Sequence, residues 1–78
     1  MRYFIEYHSV LRDIFLNEAE AIEGVETLDE LVTKLENAVN RYDYAIIYIL
    51  QGGETVKTFK VDLRDFKVIR RGERRQDY

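Results

Sequence analysis

The pattern of hydrophobic and polar positions is dominated by one apolar segment, residues 44–50, which reads Tyr-Ala-Ile-Ile-Tyr-Ile-Leu. A short run that is rich in β-branched and aromatic side chains and bounded by glycine predicts a strand buried on both faces. Gly52-Gly53 follows almost at once and predicts a tight hairpin, because a type I′ turn needs positive φ at both central residues. The partner strand is expected at residues 55–63.

Counting residue pairs outward from this turn places Gln51 opposite Glu54 and Ile46 opposite Phe59. The strand face toward the principal helix would then carry Ile46, Phe59, Val61 and Leu63. The reverse face would carry Ala45, Ile47, Ile49 and Val56. Because monomers seldom expose an apolar patch of this kind, the reverse face is a candidate protein interface. Its predicted residues are Ile47, Ile49 and Val56, joined by Phe4 from the first strand.

Residues 2–10 alternate between two faces, which predicts the first strand. One face carries Tyr3, Ile5 and Tyr7, and the other carries Phe4, Glu6 and His8. Residues 9–25 fit two structures. As a helix, the segment could be capped by Ser9 and ended by Gly24. As a strand over residues 14–25 it would deliver the chain directly into the next helix, and we prefer this second interpretation.

Residues 27–41 give the clearest helix pattern. Thr27 and Glu30 have the spacing of a capping box, in which each side chain satisfies an early backbone N–H group. Apolar residues recur every three or four positions and form one continuous stripe. Its members are Leu28, Leu31, Val32, Leu35, Ala38, Val39 and Tyr42. Leu35 lies in the middle of the stripe and is expected to be buried.

These elements predict an α+β fold, an antiparallel sheet of four to five strands with one principal helix on one face. The expected order is β-β-α-β-β, or β-α-α-β-β if residues 9–25 are helical. Residues 66–70 are a predicted last strand. The 78 residues, with 46% hydrophobic and 35% charged side chains, are typical of one small globular domain. We expect this domain at residues 1–71, with a flexible charged tail at 72–78.

Composition narrows the possible chemistry. The chain has no cysteine and a single histidine, His8, so neither a metal site nor a cofactor site is expected. Glu6 and His8 lie on the same side of a strand and could form a carboxylate–imidazole pair. No nucleophile motif or phosphate-binding loop accompanies them, so we predict no catalytic residues and no enzyme activity. No apolar run suits a membrane span or a secretion signal, so a cytoplasmic location is expected.

The charge is unevenly distributed along the chain. Residues 1–54 carry four basic and eleven acidic side chains, a balance of −7, whereas residues 55–78 carry eight basic and four acidic, a balance of +4. The basic end could contact nucleic-acid phosphates. Acidic residues interleaved with the arginines make nucleic acid a possible but not a favoured partner. The candidate phosphate contacts are Arg70, Arg71, Arg74 and Arg75.

The acidic part of the chain supports a different hypothesis. Small acidic proteins can occupy a basic nucleic-acid channel by imitating phosphate charges, as compact viral accessory proteins often do. A surface that is acidic only for solubility is the more common case. The residues that would present this surface are Glu18, Glu20, Glu23, Glu26, Asp29, Glu30 and Glu36.

The function that these observations favour is that of a small non-enzymatic interaction protein. It would act by surface complementarity and would self-associate, or bind another protein, through the apolar sheet face. The alternatives are an acidic, viral-type accessory inhibitor of a nucleic-acid-handling enzyme and a nucleic-acid-binding module that uses the basic C-terminal end. No residue pattern identifies the partner.

Overall fold

The computed structural model describes residues 1–65, which form a four-stranded antiparallel sheet and two helices. The elements are β1 (Arg2–His8), α1 (Val10–Leu16), β2 (Ala21–Val25), α2 (Leu28–Ala38), β3 (Tyr44–Gln51) and β4 (Glu54–Asp62). The strand order is β2-β1-β3-β4. The predicted α+β fold with an antiparallel sheet and one principal helix, α2, is therefore confirmed. The predicted strand at 66–70 and the tail at 72–78 lie outside the described residues.

The segment at residues 9–25, whose pattern fitted either a helix or a strand, forms a short helix followed by a strand. Its first part forms the short helix α1, which ends where Asn17 adopts a left-handed conformation with φ of 53°. Its second part forms β2, which pairs antiparallel with β1 so that Tyr3 lies opposite Val25 and Tyr7 opposite Ala21. The preferred strand interpretation is thus correct for β2 and wrong for α1. No helix within residues 1–65 is long and apolar enough to cross a membrane.

The start of α2 has the predicted capping arrangement. The Thr27 hydroxyl accepts a hydrogen bond from the Glu30 N–H at 3.1 Å, and the Glu30 carboxylate accepts one from the Glu26 N–H at 3.4 Å. Leu31, Leu35 and Ala38 are buried on one side of the helix. Leu28 and Val32 belong to the predicted stripe but are exposed, so the buried stripe is narrower than the pattern suggests.

The core lies between α2 and one face of the sheet. Its strand residues come from every second position of β1 and β3, together with the last residue of β2 and the residue that follows β4. They are Tyr3, Ile5, Tyr7, Val25, Ala45, Ile47 and Leu63. The Tyr7 ring stacks on Tyr42 with centroids 4.7 Å apart. An ion pair of 2.8 Å between Lys34 and Glu23 also links α2 to β2.

The hairpin turn is as predicted, but the strand register beyond it is not. Gly52 and Gly53 have φ of 61° and 83°, and Gln51 pairs with Glu54. A bulge then leaves Val56 without a partner on β3, because Leu50 pairs with Thr55 and Ile49 with Lys57. This one extra residue in β4 shifts every later pair by one position. The face of β3 that lies on the core side is therefore the opposite of the one predicted.

This change of face means that two residues of the predicted interface, Ile47 and Ile49, lie on the core side of the sheet. Phe59 lies opposite Ile47 instead of Ile46, and Val61 lies opposite Ala45. Ile47 is only 3% exposed, and Ile49 is partly buried against the core. The prediction that Ile47 and Ile49 lie on the sheet face away from the helix is therefore wrong. Val61 and Leu63 contact the core as expected.

Candidate functional site

The most exposed apolar surface of residues 1–65 belongs to α1. Five of the seven residues in this helix are apolar, and within the described chain none of its residues is buried. Their exposed fractions range from 41% at Val10 to 76% at Phe15. We call this surface the α1 patch, and it consists of Val10, Leu11, Ile14, Phe15 and Leu16. A contiguous exposed apolar surface usually marks a site of contact with another molecule.

The N-terminus of α1 is attached to the start of β3. The Asp43 carboxylate accepts a hydrogen bond from the Val10 N–H at 2.7 Å, and the Asp43 N–H donates to the His8 carbonyl at 2.9 Å. Ser9 occupies the N-cap position, but among the described residues its side chain makes no capping hydrogen bond. The carboxylate that caps α1 therefore comes from a residue more than thirty positions away in the sequence.

A cluster of polar side chains connects α1 to the sheet face opposite α2. We call it the His8 cluster, and it consists of Glu6, His8, Asp13, Tyr44 and Tyr48. His8 Nδ1 lies 3.0 Å from an Asp13 carboxylate oxygen, and His8 Nε2 lies 3.4 Å from a Glu6 carboxylate oxygen. The predicted Glu6–His8 pair is therefore present, with Asp13 as a second acidic partner that the sequence pattern did not reveal.

Two tyrosines complete the His8 cluster from β3. The Tyr44 hydroxyl donates a hydrogen bond to Asp13, and the Tyr44 ring stacks on the His8 ring with centroids 4.8 Å apart. The Tyr48 hydroxyl donates to Glu6 at 2.7 Å. Both tyrosines are partly buried on the same face of β3 because they are four positions apart on one strand. Every polar side chain of the cluster thus has a partner within it.

These contacts change the acid–base properties of the cluster. Hydrogen bonds from Tyr44 and His8 hold the pKa of Asp13 below its ordinary value. The same bond to Asp13 raises the pKa of Tyr44 to about 12, and the bond to Glu6 raises the pKa of Tyr48. Asp13 therefore stays ionised, and both phenols stay protonated, throughout the neutral range.

The geometry of the His8 cluster indicates a structural role, in which the cluster holds α1 against the sheet. Both ring nitrogens of His8 face carboxylates, so a bound molecule could reach neither nitrogen without breaking an existing contact. Within residues 1–65, no three His, Cys, Asp or Glu side chains are arranged to hold a metal ion. The cluster positions Asp13, and through Asp13 it positions α1.

The other two predicted interface residues lie at the surface. Phe4 is partly buried on the sheet face opposite α2, where it pairs with Tyr48 and lies against Gly24. A Cβ at Gly24 would lie 3.1 Å from the Phe4 ring, so the missing side chain makes room for that ring. Val56 is exposed at the bulge. The structure therefore does not bring the four predicted interface residues together on one face.

The predicted acidic residues are spread over three parts of the fold. Glu18 and Glu20 lie between α1 and β2, Glu23 and Glu26 lie on or just after β2, and Asp29, Glu30 and Glu36 lie on α2. Glu23 contacts Lys34, and Glu30 takes part in the helix cap, so both have structural roles. The basic candidates Arg70, Arg71, Arg74 and Arg75 lie outside the described residues.

Sequence reasoning missed the α1 patch because it interpreted this segment as a strand. The available signal was local: Leu11, Ile14 and Phe15 repeat at three and four, as on one face of a helix. Such a face is normally assigned to the core, and nothing in the spacing shows that it lies at the surface. Comparison of the chain with known protein families, curated proteins and solved structures finds no match.

The raised pKa of Tyr44 leads to a prediction at alkaline pH. A phenol with a raised pKa in the folded protein stabilises the fold fully below its ordinary pKa of 10.0, and this contribution is lost as the pH rises toward about 12. We expect the urea midpoint of the wild type to fall between pH 9 and pH 11.5, and to fall less in Tyr44→Phe. Urea denaturation followed by circular dichroism measures both. Equal decreases in the two proteins would contradict a role for Tyr44 in this linkage.

Proposed function

We propose that this chain is a small non-enzymatic interaction protein that associates with a second copy of itself through the α1 patch. The observation that carries the proposal is the exposure of all five apolar side chains of α1. Burying such side chains in a contact between two proteins is favourable, because apolar surface is removed from water. The interface proposed here replaces the sheet face that residue counting had suggested.

The way in which α1 is held supports an interaction surface. Asp43 binds the N-terminus of the helix, and the His8 cluster binds Asp13 on its side. These contacts fix the helix to the rest of the molecule while its apolar residues stay exposed. A contact surface that is already ordered loses less conformational entropy when a partner binds.

The charge of the α1 surface is compatible with binding a second copy of this chain. Arg12 and Asp13 are the only charged residues within α1 and balance each other, and Arg12 lies 3.7 Å from Glu18. Two α1 helices can therefore approach across a two-fold axis without strong repulsion between like charges. Symmetric dimers that use the same patch on both copies are the most common homo-oligomers.

Phe15→Ser tests this function directly. We expect wild-type protein at about 100 µM to sediment with about twice the mass of the 9.3 kDa chain. Phe15→Ser should raise the dimer dissociation constant at least about tenfold, because aromatic residues at the centre of an interface contribute most of its energy. Sedimentation equilibrium measures both proteins.

Leu28→Ser is the matched control, because Leu28 is a similarly exposed apolar residue on α2. It should dimerise like the wild type. A wild type that stays monomeric at millimolar concentration would contradict the proposal. A Phe15→Ser variant that dimerises as well as Leu28→Ser would contradict it too.

A second candidate function is supported by the charge of the described residues. Residues 1–65 carry thirteen acidic and seven basic side chains, which suits an acidic inhibitor that binds a basic nucleic-acid channel. Salt separates the two functions. Electrostatic binding weakens steeply as salt is added, whereas association through an apolar patch does not.

A further inference from the structure

His8 has acidic partners at both of its ring nitrogens. The distances are 3.0 Å from Nδ1 to Asp13 and 3.4 Å from Nε2 to Glu6. A neutral imidazole carries a single N–H group, so it can donate to only one of these carboxylates. The doubly protonated ring can donate to both at once, and its positive charge strengthens each hydrogen bond.

One of these two contacts holds α1. Asp13 belongs to that helix, whereas Glu6 and His8 belong to β1. In the described chain α1 buries no residue, so polar contacts supply much of what fixes its position. Those contacts are the bonds from His8 and Tyr44 to Asp13 and the bond from the Val10 N–H to Asp43.

We propose that His8 is a proton-operated clamp that fixes the α1 patch when the ring is doubly protonated and loosens it when the ring is neutral. This inference rests on the function proposed for the α1 patch and adds its regulation. When the proton is lost, Glu6 and Asp13 compete for the one remaining N–H group. The helix then depends on Tyr44 and Asp43.

The other titratable groups around His8 are carboxylates, phenols and one ammonium group. Glu6 and Asp13 are carboxylates, as are Asp43 beside the His8 carbonyl and Asp62 opposite Tyr44 on β4. Tyr44 and Tyr48 are phenols, and the Lys60 ammonium lies 4.5 Å from the centre of the Tyr44 ring. Among side chains of these types, only histidine ordinarily changes its charge between pH 5 and pH 8.

Amide exchange measured by NMR tests the clamp. The Asp13 and Asn17 N–H groups donate to the Ser9 and Asp13 carbonyls within α1, so their protection reports how often the helix opens. After correction for the intrinsic exchange rate, we expect about fivefold greater protection at pH 5.5 than at pH 8, the effect of one modest hydrogen bond. The buried α2 amides of Leu35 and Ala38 should show no such change and thereby report intact folding.

His8→Gln replaces the ionisable ring with a neutral side chain that keeps an amide donor, so its α1 protection should be the same at both pH values. The wild-type and His8→Gln measurements are repeated in the Phe15→Ser background, where weaker association leaves less dimer to contribute to the protection. Equal protection of the wild-type amides at pH 5.5 and pH 8 would overturn the clamp. A pH response that persists in His8→Gln while the α2 amides stay protected would overturn it as well.

Phe15→Ser separates this inference from the proposed function. The substitution lies in the α1 patch and leaves His8, Asp13 and Tyr44 in place, so the pH response of the α1 amides should persist while dimerisation is weakened. If wild-type protection is the same at both pH values but Phe15→Ser weakens the dimer as expected, the clamp is wrong and the proposed function stands. If protection responds to pH but Phe15→Ser dimerises normally, the proposed function is wrong and the clamp remains as a property of the monomer.

Discussion

Ile47→Lys is expected to unfold the domain. Ile47 is 3% exposed and lies in the core beneath α2, where it pairs with Ile5 on β1 and Phe59 on β4. A lysine there would either bury an ammonium group without a partner or push α2 away from the sheet. We expect a loss of well over 4 kcal/mol in the free energy of unfolding, which only a few kinds of substitution produce. A domain of this size has little more than that in total.

Ile46→Lys is the matched control, because the adjacent residue points to the opposite face of the same strand. Ile46 is partly buried and lies between Glu6 on β1 and Lys60 on β4, so the new ammonium group would reach solvent and a carboxylate as well as one like charge. This variant should remain folded. Circular dichroism and a thermal melt distinguish the two proteins. A folded Ile47→Lys beside an unfolded Ile46→Lys would show that the bulge is absent and the strand faces are reversed.

Leu35→Ala is expected to cost about 2–5 kcal/mol of stability, the usual range for removing a buried leucine side chain. Leu35 is 6% exposed and lies on the face of α2 that covers the sheet, between Leu31 and Ala38. Truncation would leave a cavity between helix and sheet that neighbouring residues fill only in part. Urea denaturation followed by circular dichroism gives the change in the free energy of unfolding.

Val32→Ala tests whether this cost comes from burial and not from the helix itself. Val32 lies on α2 one turn before Leu35 but is 43% exposed, and alanine favours a helix more than valine does. We expect a change of less than about 1 kcal/mol, as for most exposed substitutions. If the two variants had the same urea midpoint, α2 would pack against the sheet through a different face.

The α1 patch shows how the fold can leave apolar residues in water. Asp13 and Asp43 attach α1 to the end of the sheet through hydrogen bonds, so the position of the helix does not depend on burying its apolar side chains. The core meanwhile is formed by α2 and the sheet face that α2 covers. Binding through α1 would therefore leave the core undisturbed, and a variant such as Phe15→Ser can test association separately from folding.

Several features could be predicted from the sequence because they depend on residues close together in the chain. The Thr27–Glu30 capping box spans one helical turn, and both members make the expected hydrogen bonds. The Gly52-Gly53 turn depends on two adjacent residues that accept positive φ. Leu35, in the middle of the predicted stripe, is also buried as expected, although Leu28 and Val32 of the same stripe are exposed. For the cap and the turn, the determining interactions are local.

Only the tertiary structure decided which face of β3 is buried and which residues form the candidate site. The face of β3 follows from its pairing with β1 and from the bulge at Val56, because a single unpaired residue on β4 reverses the faces assigned to β3 by counting from the turn. The His8 cluster joins residues of β1, α1 and β3 that are up to 42 positions apart. The spacing of such residues along the sequence does not show how far apart they lie in the folded protein. That distance is set by strand pairing and by the position of α1 at the end of the sheet.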